Sequence, residues 1–202
     1  MKDPQQVRSA RTLEKILDAC EVLLADRSFD AISMQDIAAE AGVSVGNLYN
    51  RFKDKNELVE YMTARHQQAF IAQLRTGLES QAGDLMLQQR LVYLAEFFRE
   101  ALKKLKPMFV TLATRAAGDQ GPPAVAPEGT DEIVELVADW VMVRSDEMPA
   151  GVQRQRVEFA IASIAWGLQF NLVYGTPDRL FGGHYAKLLA DQAYAYLTFE
   201  ED

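Results

Sequence analysis

The chain has 202 residues, with 21 Lys+Arg against 29 Asp+Glu, a formal net charge of -8 at pH 7 and a pI near 4.9. At 49% hydrophobic and 25% charged it has the make-up of a folded chain of one domain or two small ones, which excludes disordered and fibrous classes, and its bulk acidity argues at first sight against a nucleic-acid partner. One cysteine, Cys20, and two histidines, His66 and His184, cannot supply an intramolecular disulfide or a four-cysteine, two-cysteine-two-histidine or HExxH metal site, so no metal and no cofactor is expected.

The first fifteen residues carry charges without an apolar run behind them, which is not the pattern of a secretory signal, and a reduced, cytoplasmic setting is the expectation. Helical periodicity then dominates, and no period-two alternation is long enough for a sheet, so the chain reads as all-α with about nine helices. Leu13, Ile16, Leu17, Cys20 and Leu24 share one face of a helix over 9–26, which makes Cys20 a core thiol rather than a reactive one. Ser33 and Asp36 have capping-box spacing, flanked by Ile32 and Ile37 as a staple, so a second helix starts near Met34 and stops at Gly42. Ser44 caps a third helix, with Val43 and Leu48 repeating the staple. Asp54, with Glu57 three residues on, caps a longer helix from Lys55 towards Leu78.

Beyond Gly83 the helices lengthen. Leu87, Leu91, Leu94, Ala95, Phe98, Leu102 and Leu105 predict one over 84–106, ended by Pro107, and a shorter apolar piece follows over 108–117. The Gly- and Pro-rich stretch 118–130 reads as a loop, and helices are expected over 131–144, 152–174 and 184–199. The stretch 159–177 has no charged residue, but Ser163, Gln169, Asn171 and two glycines dilute it, so it reads as a buried helix rather than a membrane span.

Two capped helices joined by a short turn containing Gly42 form a helix-turn-helix pattern. Residues 29–58, FDAISMQDIAAEAGVSVGNLYNRFKDKNEL, closely resemble the DNA-binding signature of the tetracycline-repressor (TetR) family of bacterial transcription regulators. The resemblance rests on Ile37, Ala38, Ala41, Gly42, Val43, Ser44, Gly46, Leu48, Tyr49, Phe52 and Lys55, and covers about the first sixty residues. It implies a three-helix DNA-binding domain over 1–54 and a helical ligand-binding and dimerisation domain over 55–202. Leu48 and Phe52 would pin the recognition helix, leaving Val45, Gly46, Asn47, Tyr49 and Asn50 for the major groove. Asn47 and Asn50 suit adenine edges and Val45 a thymine methyl. The resemblance assigns Tyr49 and Lys55 to phosphates and Ser33, Met34 and Ser44 to helix starts near the DNA backbone. The sequence departs from the family at Arg51 and Lys53, which would add phosphate contacts, and at Val45, where a polar or basic residue is common. The tail, with Lys2, Arg8 and Arg11 against Asp3, reads either as solvated surface or as an arm for the adjacent minor groove.

One helix-turn-helix reads few base pairs, so a homodimer on a palindromic operator is expected. The helix 152–174 has two apolar faces, and Val157, Ile161, Ile164 and Leu168, with Leu189, Ala193 and Tyr196 of the last helix, are the candidate dimer interface. Phe97, Phe98, Met108, Phe109, Trp140, Trp166 and Phe170 are the candidate walls of the effector pocket that the resemblance implies, and they suggest an apolar or aromatic ligand. His184 reads as a helix cap or a surface residue rather than as a ligand contact. The expected function is a ligand-responsive regulator, a repressor released from DNA by a small effector. The alternatives are a regulator of the same fold controlled by a protein partner or by no ligand and, remotely, an enzyme, for which no nucleophile-and-base motif or phosphate-cradling loop appears.

Overall fold

The computed structural model of the chain describes residues 4–81, 83, 85–106, 127–175 and 180–200, without the side chains of 4–6, 127–130 and 173. Eight α-helices account for most of these residues, and no strand occurs among them. Helix α1 (Pro4–Asp26) begins five residues before the expected start, with Pro4 in the first turn, where a missing N–H removes no helical bond. The 4–8 stretch is thus already helical. Its buried stripe is Ile16, Leu17, Ala19, Cys20, Leu23 and Leu24, and burial pushes the Cys20 thiol up to about 12.

A 3₁₀ turn at Phe29–Ala31 leads into α2 (Met34–Glu40), α3 (Val45–Tyr49) and α4 (Lys55–Ser80). Helix α2 packs on both α1 and α3. Helix α4 starts at the expected domain junction, and the chain divides into two compact units further along it, between His66 and Gln67. The core of the first unit is closed by Ile32, Ile37, Leu48, Phe52, Leu58, Val59 and Met62, so the Ile32–Ile37 staple is buried at both residues and the second staple at Leu48, with Val43 half-buried.

The second unit comprises the rest of α4 with α5 (Leu87–Lys104), α6 (Pro127–Met142), α7 (Arg154–Tyr174) and α8 (Tyr185–Thr198). Helix α8 packs on α5 and α7, while α7 also packs on α5 and α6. The backbone of 127–130 is helical, which corrects the expected loop at its last four residues, while the rest of that loop and the piece 108–117 lie outside the described residues. Pro127 suits the first turn, so a Pro-rich composition marked the start of a helix rather than its exclusion. At Gly167 of α7 a Cβ would stand 2.8 Å from Leu189 Cδ2, so the absence of a side chain lets α8 approach closely. Helix α7 ends at Gly175, whose φ of 66° is a left-handed cap. Among the described residues, no helix is long and apolar enough to cross a membrane.

Arg90 of α5 is buried, and the apolar pattern gave no hint of it. Its NH1 donates to the Trp140 carbonyl (2.9 Å) near the C-terminal end of α6, its Nε to Leu85 O (3.1 Å), and its guanidinium lies 4.5 Å from the Trp140 ring centroid. Burial lowers its pKa from the usual arginine value, with Arg144 adding repulsion and Glu147 opposing. Glu147 meanwhile accepts from Leu87 N (3.0 Å) at the start of α5 and from Arg144 Nε (2.7 Å). Arg90 of α5 thus satisfies a carbonyl near the end of α6, while Glu147, in the turn after α6, satisfies an N–H at the start of α5.

Candidate functional site

The reading head is built by caps. Ser33 Oγ accepts the Asp36 N–H (3.1 Å) and donates to the Asp36 carboxylate (2.6 Å), which also accepts the Ser33 N–H (2.9 Å). These bonds hold the Asp36 pKa below the usual carboxylate value, with the Ser33 side chain the largest cause and its backbone N–H the next. The start of α2 therefore already holds an anion. Gly42, at φ 64°, turns the chain, and its neighbour Val43 donates to Ala38 O (3.0 Å). Ser44 Oγ then accepts the Asn47 N–H (3.2 Å) to start α3. Asp54 Oδ1 accepts from Asn56 N (2.9 Å) and Glu57 N (3.0 Å) to start α4.

On α3, Leu48 is fully buried, and Phe52 beyond it meets Tyr61 edge-on at 5.6 Å. The opposite side exposes Gly46, Asn47, Tyr49 and Asn50, with Val45 half-buried and Ser44 and Lys53 exposed at either end. That surface offers amides, a phenol and an ammonium within one short helix and the turn after it.

The remaining candidates sit elsewhere. Met34 is buried in the head. Lys55 turns inward, where Nζ donates to the carbonyls of Phe29 and Ile32 (2.7 Å to the latter) and stands 4.1 Å from the Phe29 ring centroid. Arg51 is half-buried and bridges back to α1, its NH2 donating to Ser9 Oγ (2.9 Å) and Ser9 O (3.1 Å). Ser9 was not singled out in the sequence, because a partner 42 residues away leaves no local pattern.

In the second unit, Phe98 and Trp140 are buried and Phe97 half-buried. Tyr93 links them, with ring centroids 5.9 Å from Trp140 and 6.2 Å from Phe97, and Phe70 lies 5.7 Å from Phe98. Among the described residues, the buried Trp140 Nε1 has no hydrogen-bond partner. Trp166 and Phe170 instead lie on the outer face of α7, 64% and 54% exposed, with Phe159 and Tyr174. Met108 and Phe109 lie outside the described residues. Val157, Ile161, Ile164 and Leu168 face inward and are buried in the chain's own core, as are Leu189 and Ala193 of α8. Tyr196 is exposed, 5.6 Å from the Phe159 ring. His184 occupies the position before α8 without a side-chain cap bond. No group of residues suited to hold a metal ion occurs among the described residues.

Comparison with known proteins agrees with this geometry. Residues 16–62 match the model of "Bacterial regulatory proteins, tetR family". Over 66 residues the chain is 35% identical to the uncharacterized HTH-type transcriptional regulator YwcC of Bacillus subtilis, a match covering 33% of this chain and 30% of that protein. The aligned part therefore spans less than a third of that relative. The fold is similar to that of NalD, the secondary repressor of the MexAB-OprM multidrug efflux pump in Pseudomonas aeruginosa, at 20% identity and TM-score 0.64, covering 96% of this chain and 100% of that one. It is likewise similar to that of SmeT in its triclosan complex, at 19% identity and TM-score 0.65, covering 94% and 92%. The helix-turn-helix head is thus similar, over residues 16–62, to the tetR family of bacterial regulatory proteins.

Proposed function

We propose that the chain is a dimeric transcriptional repressor that binds a palindromic DNA operator through α3 and is released by a small effector bound in its second unit. The observation that carries the DNA reading is the exposed set Gly46, Asn47, Tyr49 and Asn50 on a helix whose other side is locked by Leu48. Amide side chains placed there can make paired hydrogen bonds to adenine, each worth about 1–3 kcal/mol of discrimination. Arg51 and Lys55, engaged within the head, act on this reading as supports for the reading surface. The dimer is assigned to the outer face of α7 and α8, around Phe159, Trp166, Phe170 and Tyr196, because the inward-facing residues are already covered by their own chain. An aromatic cluster with an unpartnered indole N–H at Trp140 supports an effector that is largely apolar and carries a hydrogen-bond acceptor. The NalD and SmeT likenesses are in keeping with this reading, since one is a repressor of an efflux pump and the other was solved with triclosan.

Selection of bound duplexes from a random pool tests the proposal. The expected product is a two-fold motif whose half-sites are centred about 34–36 Å apart or a multiple of that. Asn47→Ala shifts the preferred base at one position of each half-site, while Tyr49→Ala weakens all duplexes alike. A pool that shows no enriched motif sinks the DNA reading.

A further inference from the structure

Helix α1 carries a basic stripe at its start. Arg8, Arg11 and Lys15 recur at i, i+3 and i+7, so they share one face, and all are exposed. Asp18, one turn past Lys15 on the same face, ends the stripe, and two other acidic residues of the helix are engaged elsewhere. Glu14 pairs with Arg65 of α4 (2.6 Å) and Glu21 with His66 (2.9 Å), whereas Arg8, Arg11 and Lys15 enter no ion pair among the described residues. From Arg8 to Lys15 the helix rises about 10 Å. One DNA strand places a phosphate about every 3.4 Å of helix axis, so a stripe of this length is long enough to meet more than one phosphate.

The same end of α1 is tied to the reading helix. Arg51, just past α3, donates from NH2 to both the hydroxyl and the carbonyl of Ser9, which lies between the first two residues of the stripe. A lysine there would carry the charge, but its ammonium sits one bond short of the guanidinium NH2 that reaches both acceptors. We infer that the first turns of α1 are a second DNA-contacting element, in which Arg8, Arg11 and Lys15 grip backbone phosphates as a rigid helix. Arg51 is its positioning residue, setting the stripe against the end of α3. This rests on the DNA-binding reading above, and the occupant is duplex backbone rather than a base edge, because point charges on a helix face carry no base-specific pattern.

The test uses the full-length chain, the selected duplex and a duplex of unrelated sequence, with affinity measured across a salt series. For Arg8→Gln/Arg11→Gln/Lys15→Gln together, the slope of log K against log salt falls by roughly 0.9 per lost contact, about 2.7 in all, on both duplexes, and the selected motif stays the same. Arg51→Lys keeps the charge count, yet it also lowers the slope and speeds amide hydrogen exchange over residues 7–12. A triple variant that is helical by circular dichroism and keeps the wild-type slope overturns the inference while leaving the regulatory reading standing. An unchanged slope and unchanged exchange in Arg51→Lys overturn the positioning role alone. Wild-type protein that binds neither duplex overturns both readings.

Discussion

Ser33 and Asp36 occupy an N-terminus that would otherwise leave backbone donors without partners, and each bond in the pair supports the other. Ser33→Ala is expected to lower stability by about 1 kcal/mol in urea unfolding. The Asp36 carboxyl titrates below its unfolded value, so its contribution is present above the ordinary carboxylate pKa of 3.8 and is lost as pH falls through the lower, folded value. The gap between wild type and Ser33→Ala should therefore narrow in acid. This cap was legible in the sequence because its partners are three residues apart. Lys55 and Arg51 were not. Their types suit phosphates, but the carbonyls of Phe29 and Ile32 and the whole of Ser9 reach them only through folding. Cys20 was readable again, since burial on an apolar helix stripe raises its pKa by more than the charge of Lys55 lowers it.

Among the elements, α7 separates periodicity from partnership. Its sequence shows two apolar faces, yet which one meets the chain's own core depends on where α5, α6 and α8 lie. The structure turns Val157, Ile161, Ile164 and Leu168 inward and leaves Phe159, Trp166 and Phe170 outside. Leu168→Ala is accordingly expected to lower stability by about 2–5 kcal/mol, as other leucine truncations in packed cores do. Trp166→Glu should leave the fold intact but shift sedimentation from dimer to monomer, because it puts a charge into an apolar interface. A monomeric wild type, or a dimeric Trp166→Glu, would reject that assignment. The pairing of α5 with α6 hangs on Arg90, whose three backbone acceptors include Gly83 O at 3.3 Å. Arg90→Met leaves those carbonyls unpaired, at roughly 1–3 kcal/mol for a buried polar group, and a lowered melting temperature would register it. Arg90→Lys should recover only part, since a single ammonium cannot span the same acceptors.

At the scale of the molecule, the acidity that argued against DNA is unevenly spread. Residues 1–56 hold 8 basic and 9 acidic side chains, and residues 57–202 hold 13 and 20. A nearly balanced head with an exposed basic stripe can attract a phosphate backbone while the remaining surface repels it, so net charge is a poor guide to the partner here. On the proposed function, a compound present at about 100 times its Kd should raise stability by about 2.7 kcal/mol in a thermal scan and release the operator at the same concentrations. Trp140→Phe should weaken that response, by removing the unpartnered donor. A compound that stabilises the chain without loosening its grip on DNA would separate binding from regulation. By itself the sequence determined the helical class, the caps, the turn at Gly42 and the face that α3 exposes, because each depends on residues within one or two turns of one another. Only the tertiary structure decided which face of α7 is core, that Arg90 joins α5 to α6, and that Arg51 reaches Ser9, because those choices are made between residues tens of positions apart, where periodicity carries no information.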